Sequence, residues 1–138
     1  MSQTADNMLC HYRKLGHDTH VFTFMQGTRA AIQQWATHIE AIQLAREWYN
    51  TGMIYLLLDA RQAPTFPIRA MFEVLSDYNR AYPQLTPPQI HLAFVRHPQT
   101  DVLDIYPMMA ELLDPPVNLS FFTEDVAAEQ WLQQQHAE

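Results

Sequence analysis

The chain has a single cysteine, Cys10, so no disulfide can form within it. It has three glycines, Gly16, Gly27 and Gly52, and no two are close. That excludes the glycine-rich loop whose backbone N–H groups cradle phosphates, and counts against a nucleotide-hydrolysing enzyme. No apolar run approaches the roughly 20 residues of a membrane span. Charge is sparse at 17%, and positive charge is sparser: eight Lys and Arg against fifteen Asp and Glu, a net charge of -7. An acidic chain repels phosphate backbones, which argues against nucleic acid. The opening residues, Met-Ser-Gln-Thr-Ala-Asp-Asn, hold no basic stretch followed by an apolar one, so no secretory signal is read there. With no export signal read and no internal disulfide, a cytoplasmic protein is the expectation.

The imbalance of charge is local. Residues 1–61 hold five basic and five acidic side chains, and residues 62–138 hold three and ten. The second half therefore presents either a solubilising surface or an acidic face for a basic partner.

At 138 residues and 48% apolar, the chain makes one domain with a core of its own. Residues 1–7 read as a loose N-terminus and residues 8–138 as the single domain. The run Met53-Ile-Tyr-Leu-Leu-Leu-Asp59 carries no charge until its last position. Gly52 precedes it and Pro64 follows, the pattern of a strand buried on both faces and central to a sheet. Upstream, residues 8–14 and 19–25 read as strands joined by the turn formers of 15–18, a β-hairpin. In the second strand Val21 and Met25 share a face, and Phe22 and Phe24 share the other.

Thr28 is the expected N-cap of a helix reaching about Asn50, with Ile32, Trp35, Ala36, Ile39, Ile42, Ala45 and Tyr49 as its apolar stripe. Thr51-Gly52 stops it. Pro67 fits the first turn of a second helix, whose stripe is Ile68, Met71, Leu75, Tyr78 and Tyr82, ended by Pro83. Residues 90–95 form the next strand. A third helix begins at Thr100-Asp101, with Val102, Ile105, Met109, Leu112 and Leu113 inward. Pro107 then either kinks it or marks where the helix proper starts. Asp114-Pro115-Pro116 ends it. Val117–Phe122 is the last strand. Thr123 caps a last helix with Glu124 and Asp125 in its first turn, and Val126, Ala127, Trp131 and Leu132 packed inward. The expected fold is α/β: a mixed, mostly parallel sheet with an N-terminal hairpin and about four helices.

Three stretches carry a family likeness: the Leu56-Leu-Leu-Asp59 strand end after the first long helix, the strand Ile90-His-Leu-Ala-Phe-Val95, and the ending Phe121-Phe-Thr-Glu-Asp-Val-Ala-Ala-Glu-Gln-Trp-Leu132. With this order of elements over residues 8–135, the chain resembles the STAS superfamily, and within it the SpoIIAA-like group of small stand-alone proteins. The resemblance implies a bacterial regulatory or binding module that acts by contact with a protein partner. It also implies a phosphorylated serine or threonine just after the central strand, in a motif like Asp-Ser-Ser-Gly. The matching stretch here runs from Asp59 to Thr65. The aspartate matches, the serines and glycine do not, and Thr65 is the nearby hydroxyl.

Read from the residues, Asp59 and Arg61 stand where open α/β sheets bind ligands, outside the carboxyl end of a strand. They also suit a local ion pair, or Asp59 capping backbone N–H groups in the turn. Arg96 and His97 follow the next strand and could reach the same rim. The four together suit a small anionic or polar ligand, or, as solvated loop residues, nothing. His17 and His20 are three apart, and His11 could face His20 across the hairpin, but no metal-binding spacing is present and no metal or cofactor is expected. Cys10 among apolar neighbours reads as an inert core residue more readily than a nucleophile. Trp35, Trp48, Trp131 and Met108-Met109 read as core, with Trp48 also able to mark a partner surface. Asp101 and Asp104 fit helix capping.

The expectation is a non-enzymatic module acting through protein–protein contact or a small ligand at the sheet rim. The alternatives are a small enzyme using Asp59, Arg61 and His97, and a homodimer whose role is assembly.

Overall fold

The computed structural model describes residues 8–15, 19–44, 53–81, 89–100, 102, 105–113 and 117–137. In chain order the elements are β1 (Cys10–Leu15), β2 (Thr19–Phe24), α1 (Arg29–Leu44), β3 (Met53–Ala60), α2 (Ile68–Ala81), β4 (Gln89–Arg96), α3 (Ile105–Leu112), β5 (Asn118–Phe122) and α4 (Asp125–Ala137). The strands form one sheet in the order β1-β2-β3-β4-β5. β1 and β2 are the antiparallel hairpin, and every later pair is parallel. The chain is thus an α/β fold with β3 at the centre, because only a strand covered on both faces suits so continuous an apolar run.

Alternation along the strands divides the core in two. On one face Phe22, Phe24, Leu56, Leu58, Leu92 and Phe94 pack against Trp35 and Ile39 of α1, Met71 and Phe72 of α2, and Ile105 and Met109 of α3. On the other, Val21, Tyr55, Leu57, Ala93 and Val95 pack against Ala128 and Leu132 of α4. A strand connected by a helix to its immediate parallel neighbour, three times in succession, keeps α1, α2 and α3 on one side. α4 follows the last strand and is free to cross to the other. Among the described residues α4 is the helix on the second face, where Leu15 and Phe122 carry the apolar cluster out to the edge strands. Towards the edges that face also carries His11, Arg13, Thr23 and Asn118.

The ends of the elements follow local chemistry. Thr28 is the N-cap of α1: its carbonyl accepts from Ile32 N–H at 3.1 Å and its Oγ1 from Ala31 N–H at 3.3 Å. The expected continuation of α1 to Asn50, the hairpin turn 16–18, and the stops at 51–52, 82–88 and 114–116 lie outside the described residues. So do residues 1–7, His17, Trp48, Asp101 and Asp104.

Four expectations need correction. The third helix does not begin at Thr100-Asp101: Thr100 and Val102 are non-helical, and α3 starts at Ile105. Pro107 then falls in the first turn, where a missing N–H leaves no intrahelical bond unmade. In α4 Val126 is 60% exposed and Ala127 is exposed too. The inward residues are Ala128, Trp131 and Leu132, which stand three and four apart on one face. The N-cap position of α4 is Glu124, whose carbonyl accepts from Ala128 N–H at 3.3 Å, rather than Thr123. In the hairpin, His11 lies opposite Thr23 and His20 opposite Lys14, so the two histidines do not face each other. His20 is buried, and its Nδ1 lies 2.8 Å from the Tyr12 hydroxyl, its diagonal neighbour.

Candidate functional site

The carboxyl ends of β3 and β4 form one rim, and all five candidate residues stand on it. Asp59 is the last residue of β3 but one, and a tight turn follows, closed by Ala63 N–H to the Ala60 carbonyl at 3.0 Å. The turn brings Arg61 back over Asp59. The Arg61 backbone N–H donates to Asp59 Oδ1 at 3.1 Å, its Nε to the same oxygen at 3.0 Å, and its Nη2 to Oδ2 at 2.7 Å. Both carboxylate oxygens are engaged by one residue, which is the local ion pair and the backbone cap at once.

Arg61 also reaches the start of α4, with Nη2 3.7 Å from Asp125 Oδ2 and Nη1 4.0 Å from Glu124 Oε2. Its hydrogen bond to Asp59 raises the guanidinium above its already high ordinary value. Partial burial opposes this, and the charges of Asp59, Asp125 and Glu124 add to it. The N-cap Glu124 and first-turn Asp125 of α4 therefore meet a fixed cation as well as the positive end of the helix.

Arg96 belongs to the other face. It is paired in register with Ala60, whereas Asp59 is paired with Val95, so alternation turns Asp59 towards α4 and Arg96 towards α1–α3. Arg96 Nη1 donates to the carbonyls of Pro98 and Thr100, each at 3.3 Å, and shapes the loop after β4. His97 Nδ1 accepts from Gln99 N–H at 3.0 Å, which places the proton of the neutral ring on Nε2.

Thr65 sits exposed on an arch over the rim. The arch is held from one side by Thr100 Oγ1, which donates to the Pro64 carbonyl at 3.1 Å. From the other it lies against Gly27, where an added Cβ would come within 3.0 Å of the Thr65 carbonyl oxygen. The rim thus brings Asp59 and Arg61 together with α4, sets Arg96 and His97 into their own loop, and carries Thr65 on an arch between Thr100 and Gly27.

The amino ends of the strands hold a second polar group that the sequence reading did not single out. Tyr55, His91 and Asn118 occupy one row across β3, β4 and β5 on the α4 face. His91 stacks beside Tyr55 with ring centroids 5.1 Å apart, and His136 of α4 stacks on the same tyrosine at 3.7 Å. The signal for it was present. Tyr55 and His91 stand at the same offset within two apolar strands, and an in-register parallel pairing makes them neighbours.

Cys10 is buried at 1% exposure, and burial pushes its thiol up to about 12. Among the described residues no group of three or more His, Cys, Asp or Glu could hold a metal ion. No helix among them is long and apolar enough to cross a membrane.

Comparison with protein-family models, curated proteins and solved structures found no match.

Proposed function

We propose that the chain is a non-enzymatic STAS-like module that works by contact with a protein partner at the rim of β3 and β4. The observation that supports this reading best is that the charged groups of the rim are already satisfied within the chain. Arg61 holds both oxygens of Asp59, Arg96 holds two loop carbonyls, and His97 Nδ1 is occupied by Gln99. A reacting pair or an anion pocket needs such groups turned towards an open space. Groups spent on fixing loops leave a rigid, shaped edge, which suits docking. The order of elements and Asp59 at the end of the central strand are the features on which the sequence resembles that family. Glu124, with a side chain 74% exposed beside Arg61, gives the edge an acidic corner for a basic partner.

The test is native mass spectrometry of the chain purified gently from its own host, in the natural form and as Arg61→Ala. A bound protein subunit lost in Arg61→Ala, with the circular dichroism unchanged, supports the reading. A bound small molecule of defined mass supports a ligand at the rim instead. A second copy of the chain as the bound subunit makes it an assembly protein. A chain carrying nothing counts against all three. A turnover abolished by Asp59→Asn or His97→Ala in a folded protein would establish an enzyme.

A further inference from the structure

The C-terminal end of α4 is held by two consecutive side chains that diverge. His136 lies flat on Tyr55, with centroids 3.7 Å apart and planes 18° from parallel. Gln135 Oε1 accepts from Asn118 Nδ2 at 3.2 Å. Asn118 Nδ2 also lies 2.9 Å from His91 Nδ1, and His91 stacks beside Tyr55 at 5.1 Å with planes 12° apart. The amide of Asn118 has two hydrogens, and these contacts use both: one goes to Gln135 and one to His91. His91 Nδ1 is then an acceptor, and its ring is neutral with the proton on Nε2.

We infer that the Tyr55–His91–His136 stack, joined through Asn118 to Gln135, is an acid-sensitive latch that holds the end of α4 on the sheet. Tyr55 is 5% exposed and joins the latch to the apolar cluster beneath α4, of which it is a member. The titratable groups set against His91 by the described residues are Tyr55 from β3 and His136 from α4, while β5 offers the neutral Asn118 and α4 the neutral Gln135. No described carboxylate is among the groups that shift His91.

One proton is tolerated, because a single cation on the face of a tyrosine is attractive. Two place like charges against one ring, and the one on His91 also puts an N–H where Asn118 already donates. Burial, then the charge of His136, lowers His91 below the ordinary 6.5, in keeping with a site built for the neutral ring.

The latch therefore closes near neutrality and opens in acid. Opening is confined to the end of the helix, since Arg61 holds the other end through Glu124 and Asp125.

The experiment is hydrogen exchange read by mass spectrometry between about pH 8 and pH 5.5, corrected for the intrinsic pH dependence of exchange. The full chain is compared with His136→Phe, which keeps a ring on Tyr55 but cannot charge. In the natural chain the protection of residues 133–137 should fall while that of β3 holds. The fall should reach at most about tenfold at pH 5.5, one pH unit below the ordinary 6.5 that an opened His91 regains. His136→Phe should reduce it, and so should His91→Gln, which removes the second charge by an independent route. Equal protection at both pH values would overturn the inference. So would a loss shared by β3, or a loss that survives in both variants.

Discussion

Arg61 meets Asp59 side-on across a two-residue step, with Nη2 2.7 Å from Oδ2 and Nε 3.0 Å from Oδ1. The contact ties the end of the central strand to its own turn, and through Glu124 and Asp125 to α4. Asp59 has a side chain 13% exposed and Arg61 one 36% exposed, so the two substitutions are unequal.

Arg61→Ala is expected to cost about 1 kcal/mol, since solvent screens much of the guanidinium. Asp59→Ala should cost about 1–3 kcal/mol, because it also strands the Arg61 backbone N–H and leaves a cation unpaired. Arg61→Lys should not restore the pair, since an ammonium has no planar fork to match the carboxylate. Urea titration with an unchanged slope measures all three. A larger loss for Arg61→Ala than for Asp59→Ala would contradict this order.

Gly27 is needed for space. A methyl group there would stand 3.0 Å from the Thr65 carbonyl oxygen and 3.2 Å from the Phe66 Cα, both backbone atoms that no rotamer change can move aside. Gly27→Ala is expected to cost about 1–3 kcal/mol, as overpacking does. It should also raise the crystallographic or exchange mobility of the arch that carries Thr65. A neutral or stabilised Gly27→Ala in thermal unfolding would show that the arch yields freely.

Much of this fold was legible in one dimension. The uncharged run of β3, the glycine and proline punctuation, and the threonine before α1 specify strand, turn and cap by local chemistry. Lateral relationships were less so. The facing of Arg96 away from Asp59 depends on a register in which Ala60, not Asp59, lies beside Arg96, and a one-residue difference in register reverses every side chain. The row of Tyr55, His91 and Asn118 has the same origin: three residues from three strands meet only once the pairing is known. Val126 was misplaced because an apolar residue in the first turn of a helix can point either way, and the phase is set by Ala128 and Leu132 beyond it.

Cys10 should be silent in the native state. With its thiol pushed up to about 12 and 1% exposed, the thiolate fraction at pH 8 is on the order of one in ten thousand. Iodoacetamide should leave the folded protein unlabelled over hours and label it completely in urea. Rapid labelling of the folded chain, at a rate unrelated to unfolding, would require an open thiol that this burial forbids.

Stability should fall as the pH drops from neutrality, in a window set by His91. Its folded value lies below the ordinary 6.5, chiefly through burial and then through His136. A histidine depressed in the folded state takes its proton first in the unfolded chain, so acid stabilises the unfolded state. The contribution is complete above about 6.5 and is lost progressively as the pH falls through the folded value. Carboxylates titrate mostly below this range, so the loss between pH 6.5 and about 5 belongs to histidines. The chain has seven, and His91→Gln isolates the one at issue. The urea midpoint of the natural chain should fall across that window, and that of His91→Gln should fall less. Parallel curves for the two proteins would mean that His91 binds a proton as readily in the folded state as in the unfolded chain, and that burial beneath α4 does not disfavour the charged ring.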